Sequence, residues 1–174
     1  MKNCLIVVDM QKDFVDGALG SAEAQAIVDA ACERIKSFDG PVFVTLDTHF
    51  GDYMDTREGA FLPVPHCVKG TPGHALNDSV AQALAGKDVT TVEKLTFGSV
   101  ELPGLIAKKL GGAPDSVTLL GLCTDICVVS NALIVKAHFP EADVCVAADS
   151  CAGVTPEKHA AALDTMASCQ IRIL

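Results

Sequence analysis

A carboxylate, an amine and a thiol stand just beyond three predicted strands of this chain: Asp9, Lys94 and Cys127. Asp9 closes Leu5-Ile6-Val7-Val8-Asp9, which sets its carboxylate beside a hydrophobic core. A general base paired with a thiol, or with the thiol's cation, would stand there, and so would a loop-capping aspartate. Cys127 ends Gly121-Leu122-Cys123-Thr124-Asp125-Ile126-Cys127, a segment that reads as strand turning into helix with Thr124 as the N-cap. In a first helical turn, unpaired N–H groups and the positive end of the dipole stabilise a thiolate. The dipole supplies about 0.3–1 kcal/mol, whereas lowering a thiol pKa by two units takes about 2.7 kcal/mol. A cation is therefore needed, and Lys94 is the available one. The same free N–H groups, of Cys127 and Cys123, could hold the oxyanion of an acyl-transfer intermediate. The competing reading makes Cys127 filler on a buried helix. Cys123-x-x-x-Cys127 as half a zinc site finds no second Cys/His pair at matching spacing.

Asp47-Thr48-His49 places a carboxylate two residues from an imidazole, and His66 follows in a Pro-rich loop. One carboxylate with two imidazoles suits Zn²⁺, Mn²⁺ or Fe²⁺ with positions left open, although D-x-H also arises by chance. His74, His138 and His159 read as solvated helix residues. Phe14 and Phe97 lie just beyond the first and third strands and could stack on a flat substrate, or simply join the core.

These positions depend on the elements that carry them. Strands are predicted at Asn3–Val8, Val42–Leu46, Asp88–Val92, Ser116–Leu120, Val144–Ala147 and Ile171–Ile173. Helices are predicted at Ser21–Phe38 (Ser21 as N-cap), Asn77–Ala85, Val100–Leu110, Thr124–Ala137 and Pro156–Ser168, with Thr48 to Gly73 irregular. Strand and helix alternate, and several strands are almost wholly apolar, as a parallel sheet covered on both faces requires. The predicted fold is α/β: a three-layer αβα sandwich, Rossmann-like, with a doubly wound six-stranded parallel sheet in the order 3-2-1-4-5-6. Ligands bind outside the carboxyl ends of such strands, where Asp9, Asp47 with His49, Lys94 and the Gly121–Cys127 turn would converge. Asp9 would face Cys127 across the switch point.

The 174 residues, 49% hydrophobic and 20% charged, suit one domain spanning 1–174 rather than disorder. A net charge of −9 without any Lys/Arg cluster argues against nucleic acid. No apolar run approaches the ~20 residues of a membrane helix. The eight cysteines are spread through a chain large enough to need no staples, and no secretory signal is evident, so a reduced, cytoplasmic setting is expected. A non-catalytic small-ligand module on a Rossmann-like sheet is the alternative from another class, but neither G-x-G-x-x-G nor a P-loop occurs. A thiol redox protein would want C-x-x-C. Self-association through apolar helix faces is left open.

Taken together, these residues resemble the isochorismatase-like cysteine hydrolases, and within them the nicotinamidases, almost end to end. The resemblance is carried by Val8-Asp9-Met10-Gln11-Lys12-Asp13-Phe14, Asp47-Thr48-His49, Pro65-His66-Cys67-Val68-Lys69-Gly70-Thr71 and, most specifically, Gly121-Leu122-Cys123-Thr124-Asp125-Ile126-Cys127-Val128. It implies Asp9 as base, Lys94 as thiolate-stabilising cation, Cys127 as nucleophile, and a cis peptide at Leu122–Cys123 beside the oxyanion-hole amides of Cys123 and Cys127. It further implies a transition metal, zinc first, on Asp47, His49 and His66, with Glu58 as the fourth ligand ahead of Asp55. The substrate would be a small amide, nicotinamide above all, hydrolysed to nicotinate and ammonia through a Cys thioester, a reaction of NAD salvage. Another small amide or ureido compound is the alternative. The chain has no Trp, so the aromatic wall that some relatives build from Trp needs another residue: Phe14 matches one wall, and Phe97 or Phe61 the other.

Overall fold

The computed structural model describes residues 1–174. In chain order the elements are β1 (Asn3–Val8), α1 (Lys12–Val15), α2 (Ala22–Ala26), α3 (Val28–Ser37), β2 (Val42–Asp47), α4 (Arg57–Phe61), α5 (Asp78–Ala83), β3 (Val89–Lys94), α6 (Leu102–Leu110), β4 (Ser116–Leu122), α7 (Val129–His138), β5 (Asp143–Ala152), α8 (Pro156–Ser168) and β6 (Arg172–Ile173). The six strands form one sheet, all parallel, in the order β3-β2-β1-β4-β5-β6. This is the doubly wound topology expected from the alternation. β1 is buried from Cys4 through Val8, because helices cover both faces of the central strands. α3 packs on α5, while α6, α7 and α8 pack side by side, and β5 touches α3 and α7 alike.

Two boundaries differ from expectation in ways that matter for the site. β3 runs to Lys94 and β4 to Leu122, so Lys94 is the last residue of its strand and pairs with Asp47 at the tip of β2. The helix predicted over Ser21–Phe38 is two helices that break at Ile27; Ser21 caps the first, accepting the Ala24 N–H at 3.0 Å. The stretch expected to be irregular holds α4 and two short 3-10 turns, Tyr53–Asp55 and Pro72–His74. α6 ends on Gly111, whose left-handed backbone (φ +65°) is the conformation a helix C-terminus commonly adopts.

At the switch point β1 and β4 approach so closely that only glycine fits at 121. Its φ is +120°, and a Cβ there would lie 2.1 Å from the Val8 carbonyl oxygen. Between β4 and β5 the register slips: from Leu119↔Val146 to Gly121↔Cys151, β4 advances two residues and β5 five. The bulge re-aims the tip of β5 over the same rim.

Candidate active site

The carboxyl edge of the sheet gathers the expected groups. Asp9 follows β1 in a left-handed conformation (φ +48°), which aspartate tolerates better than most residues. Its N–H donates to the Thr45 carbonyl at 3.2 Å. The Lys94 ammonium sits 2.6 Å from Asp9 Oδ2, 3.1 Å from Asp47 Oδ1 and 3.5 Å from Cys127 Sγ. All four side chains are buried, with Asp9 wholly inaccessible. Thr45 Oγ1 donates to Asp9 Oδ1 at 2.6 Å. Asp9 Oδ2 is ion-paired with Lys94 but not aligned with any hydrogen-bond donor, so it retains acceptor capacity.

The protonation pattern follows from burial and charge. Burial opposes the charge on Lys94, but Asp9, Cys127 and Asp47 outweigh it and hold the ammonium protonated. Burial raises the Asp9 pKa above its ordinary value, aided by the Asp47 charge and opposed by Lys94. Burial also raises the Cys127 thiol well above its ordinary value, and the Asp9 carboxylate adds to this while Lys94 offsets only part. Cys127 is thus a thiol beside a carboxylate placed to take its proton, with the Lys94 ammonium 3.5 Å from the sulfur. Local geometry departs from expectation as well. Thr124–Val128 forms one π-helical turn before α7, and Cys123 occupies the N-cap position without a side-chain hydrogen bond. The Thr124 hydroxyl instead shares a 2.8 Å hydrogen bond with His159 Nδ1, which ties this turn to α8 and makes His159 more than a solvated helix residue. Leu122–Cys123 is cis, as the resemblance implied.

Asp47, His49, Glu58 and His66 form a second cluster whose potential ligand atoms lie within 4.8 Å of one another. Asp47 Oδ2 is 3.0 Å from His49 Nε2 and 3.4 Å from His66 Nε2, while Glu58 Oε1 is 3.6 and 3.8 Å from the same nitrogens. A tetrahedron with bonds of ~2.0–2.1 Å to N and O has edges of roughly 3.4 Å, so these separations fit a zinc-sized ion. His66 Nδ1 is 2.8 Å from the Val64 carbonyl; donating there, it leaves Nε2 as the ligating atom. Burial disfavours ionised Asp47, but hydrogen bonds from His49 and His66, with Lys94, hold its carboxyl well below the usual range. Charge supports the fit too: three carboxylates, Asp9, Asp47 and Glu58, face a single fixed cation, Lys94. Asp55 is exposed and outside the cluster, so Glu58 is the residue that the geometry brings in.

Several supporting residues escaped the sequence reading. Gln11, fully buried, accepts the Asp47 N–H at 2.8 Å and donates to the carbonyls of Asp47 and His74, both at 2.9 Å. Asp13 Oδ2 accepts the Cys67 N–H at 2.8 Å and so anchors the His66 loop. The Tyr53 ring meets His49 and His66 edge-on, with centroids 4.7 and 5.2 Å away, and its hydroxyl donates to the Leu62 carbonyl at 2.8 Å. Asn131 donates to the carbonyls of Cys127 (2.8 Å) and Phe97 (3.3 Å) and accepts the Ser99 N–H at 3.0 Å. A buried amide just past a strand, as at Gln11, was the one available signal. His74 is half-buried against the Thr48 hydroxyl at 2.9 Å rather than solvated; His138 is exposed as expected.

Both clusters open on a cavity of about 630 Å³, bordered by Cys127, Cys123, Asp47 and His66. Phe14 and Phe97, and Phe61 with them, line it, and the Phe14 ring lies 5.4 Å from that of His66. None of the eight cysteines is bridged, and no helix is long and apolar enough to cross a membrane.

A parallel sheet with a thiol, a carboxylate and an ammonium gathered at its switch point defines an α/β protein with a reactive cleft at the carboxyl edge of the sheet. The isochorismatase domain family model matches residues 3–174, and the chain belongs to the isochorismatase family. The chain is 31% identical to the nicotinamidase/pyrazinamidase of Mycobacterium tuberculosis, over 98% of this chain and 97% of that one. In structure it is similar to the nicotinamidase/pyrazinamidase PncA from Bacillus subtilis (TM-score 0.85, 28% identity, 99% of each chain). It is likewise similar to the pyrazinamidase of Pyrococcus horikoshii in complex with zinc (TM-score 0.80, 28% identity, 100% of this chain and 99% of that one).

Proposed function

We propose that this protein is a cysteine-dependent amidohydrolase that converts nicotinamide and water to nicotinate and ammonia. The observation that carries the reading is the Lys94 ammonium held against both Asp9 (2.6 Å) and Cys127 Sγ (3.5 Å) in one buried cleft. Asp9 accepts the thiol proton as Sγ attacks the carboxamide carbon, and Lys94 offsets the charge passing from sulfur to carboxylate. The amide N–H groups of Cys123 and Cys127 serve the developing oxyanion. Asp9 returns the proton to the departing nitrogen, and ammonia leaves a thioester on Cys127. Asp9 then takes a proton from water as it adds to the thioester, and returns it to sulfur as nicotinate departs. Asp47, His49, Glu58 and His66 would hold a divalent transition metal, zinc first and Mn²⁺ or Fe²⁺ otherwise. A metal held by these residues would supply a coordination position for the ring nitrogen and so help to orient the ring. Phe14 and Phe97 supply apolar walls. The unbridged cysteines suit a cytoplasmic setting.

Ammonia release tests this, with nicotinamide, pyrazinamide, benzamide and a ureido acid as substrates. Turnover of nicotinamide is expected in the native protein and its loss in Cys127→Ala. Undiminished turnover in that variant eliminates the mechanism; turnover of the ureido acid alone moves the assignment to another amide of the same chemistry.

A further inference from the structure

The cavity extends beyond a ring held between the metal-type cluster and Cys127. The cavity runs from Asp47, at the tip of β2, to Gly153 and Val154, just past β5. In the order β2-β1-β4-β5 that is three strand spacings, ~14 Å. The metal-type cluster lies at the β2 end and Cys127 follows β4, so a ring held between them leaves the β5 end free.

The chemistry of that end is apolar. Ala24, Ile126 and Val154 border it, and two of its polar neighbours are engaged with the backbone. Ser21 Oγ accepts the Ala24 N–H, and Asp125 Oδ1 accepts the Val154 N–H at 2.9 Å. Lys158, the remaining charge on the border, is exposed in the first turn of α8. The mouth is apolar as well. Phe61, Leu62, Phe97 and Val154 are four of the eleven large apolar side chains left exposed, Phe61 at 93%, and all four border this one cavity. Exposed apolar surface gathered at a cleft marks a binding surface more than chance scatter does.

We propose that the site takes aryl carboxamides larger than nicotinamide, whose ring carries an apolar substituent reaching toward the tip of β5 and α2. The proposal rests on the amidohydrolase reading above. The reaction is unchanged: the carboxamide C–N bond breaks, water supplies the acid oxygen, and ammonia leaves from the end of the substrate remote from the substituent.

The test compares nicotinamide, 5-methylnicotinamide and 5-phenylnicotinamide on the metal-loaded enzyme. The phenyl compound is expected to show a KM at least fivefold below that of nicotinamide, with kcat within threefold. Val154→Trp, which narrows the β5 end at an exposed position, is expected to lower the ratio of kcat/KM for the phenyl compound to that for nicotinamide at least tenfold. A kcat/KM for the phenyl compound below a tenth of that for nicotinamide overturns the proposal while leaving the amidohydrolase reading intact. An unchanged ratio in Val154→Trp overturns it equally. If no amide is hydrolysed, the amidohydrolase reading fails, and calorimetric binding to Cys127→Ala decides this one. Tighter binding of 5-phenylnicotinamide than of nicotinamide sustains the apolar subsite, and equal or weaker binding overturns it.

Discussion

Replacing Lys94 with methionine isolates what holds the centre together. The side chain keeps similar bulk, but Asp9 and Asp47, at 0% and 4% exposure, lose their shared counter-charge. Removing one partner of a buried ion pair costs about 3–5 kcal/mol because the other charge is left unpaired, a large part of a domain's ~5–15 kcal/mol. At ~2–4 °C per kcal/mol for a chain of this size, the melting temperature should fall by roughly 6–20 °C. The loss should also depend on pH. Burial and Asp47 already raise the Asp9 pKa, and Lys94 is the main opposing influence. Without Lys94 the folded pKa climbs further above the unfolded one. A carboxyl of that kind contributes stability that is in place below its unfolded pKa and lost as pH rises through its folded pKa. The deficit should therefore be greatest near pH 8 and shrink toward pH 5. Adding Asp9→Asn to the variant should recover part of it. Thermal and urea unfolding followed by circular dichroism, with chelator present so that no metal replaces the ammonium, measures all of this. A loss under ~1 kcal/mol, typical of an exposed pair, or one equal at pH 5 and pH 8, would refute the reasoning.

Three further outcomes follow from the same geometry. Asp9→Asn removes the proton acceptor and should lower kcat by about 10²–10⁴-fold; in the native enzyme kcat/KM should fall as pH drops through the raised Asp9 pKa, at a higher pH than an ordinary carboxyl near 3.8 would allow. Gly121→Ala forces a Cβ to within 2.1 Å of the Val8 carbonyl at φ +120°, and denaturant unfolding should show a loss of at least the ~1–3 kcal/mol that such backbone strain costs. Glu58→Gln should weaken zinc binding at least tenfold by competition with a chromogenic chelator, a loss on the order of that caused by removing a supporting residue, whereas Asp55→Asn should leave it unchanged.

Much of the site was legible because a parallel sheet sends every strand to one edge. An apolar run that ends on a charged residue therefore announces that edge, as at Asp9 and Asp47, and Lys94 closes the more polar β3 at the same edge. The strand-to-helix turn alone left Cys127 as nucleophile or core filler, and the motif resemblance favoured the first. Glu58 was harder to separate from Asp55. They are three residues apart in one loop, and the choice between them depends on how a 3-10 turn and α4 fold over the two histidines. Gln11 and Asn131 went unnoticed because their roles are hydrogen bonds across 36 and 34 residues, respectively, and no local pattern encodes those. A dipole, a lysine and a facing carboxylate can be inferred from spacing and strand order, but the full burial that raises the Cys127 thiol cannot.

Local composition and the alternation of strand and helix thus determined the parallel α/β class, the edge at which chemistry would gather and the residue types available there. Those properties depend on short-range periodicity and on the handedness of crossovers, both written along the chain. Tertiary structure alone decided which of those groups touch, which keep their protons and how much room lies beside them. Coulomb and desolvation energies turn on ångström distances between strands brought together only by folding.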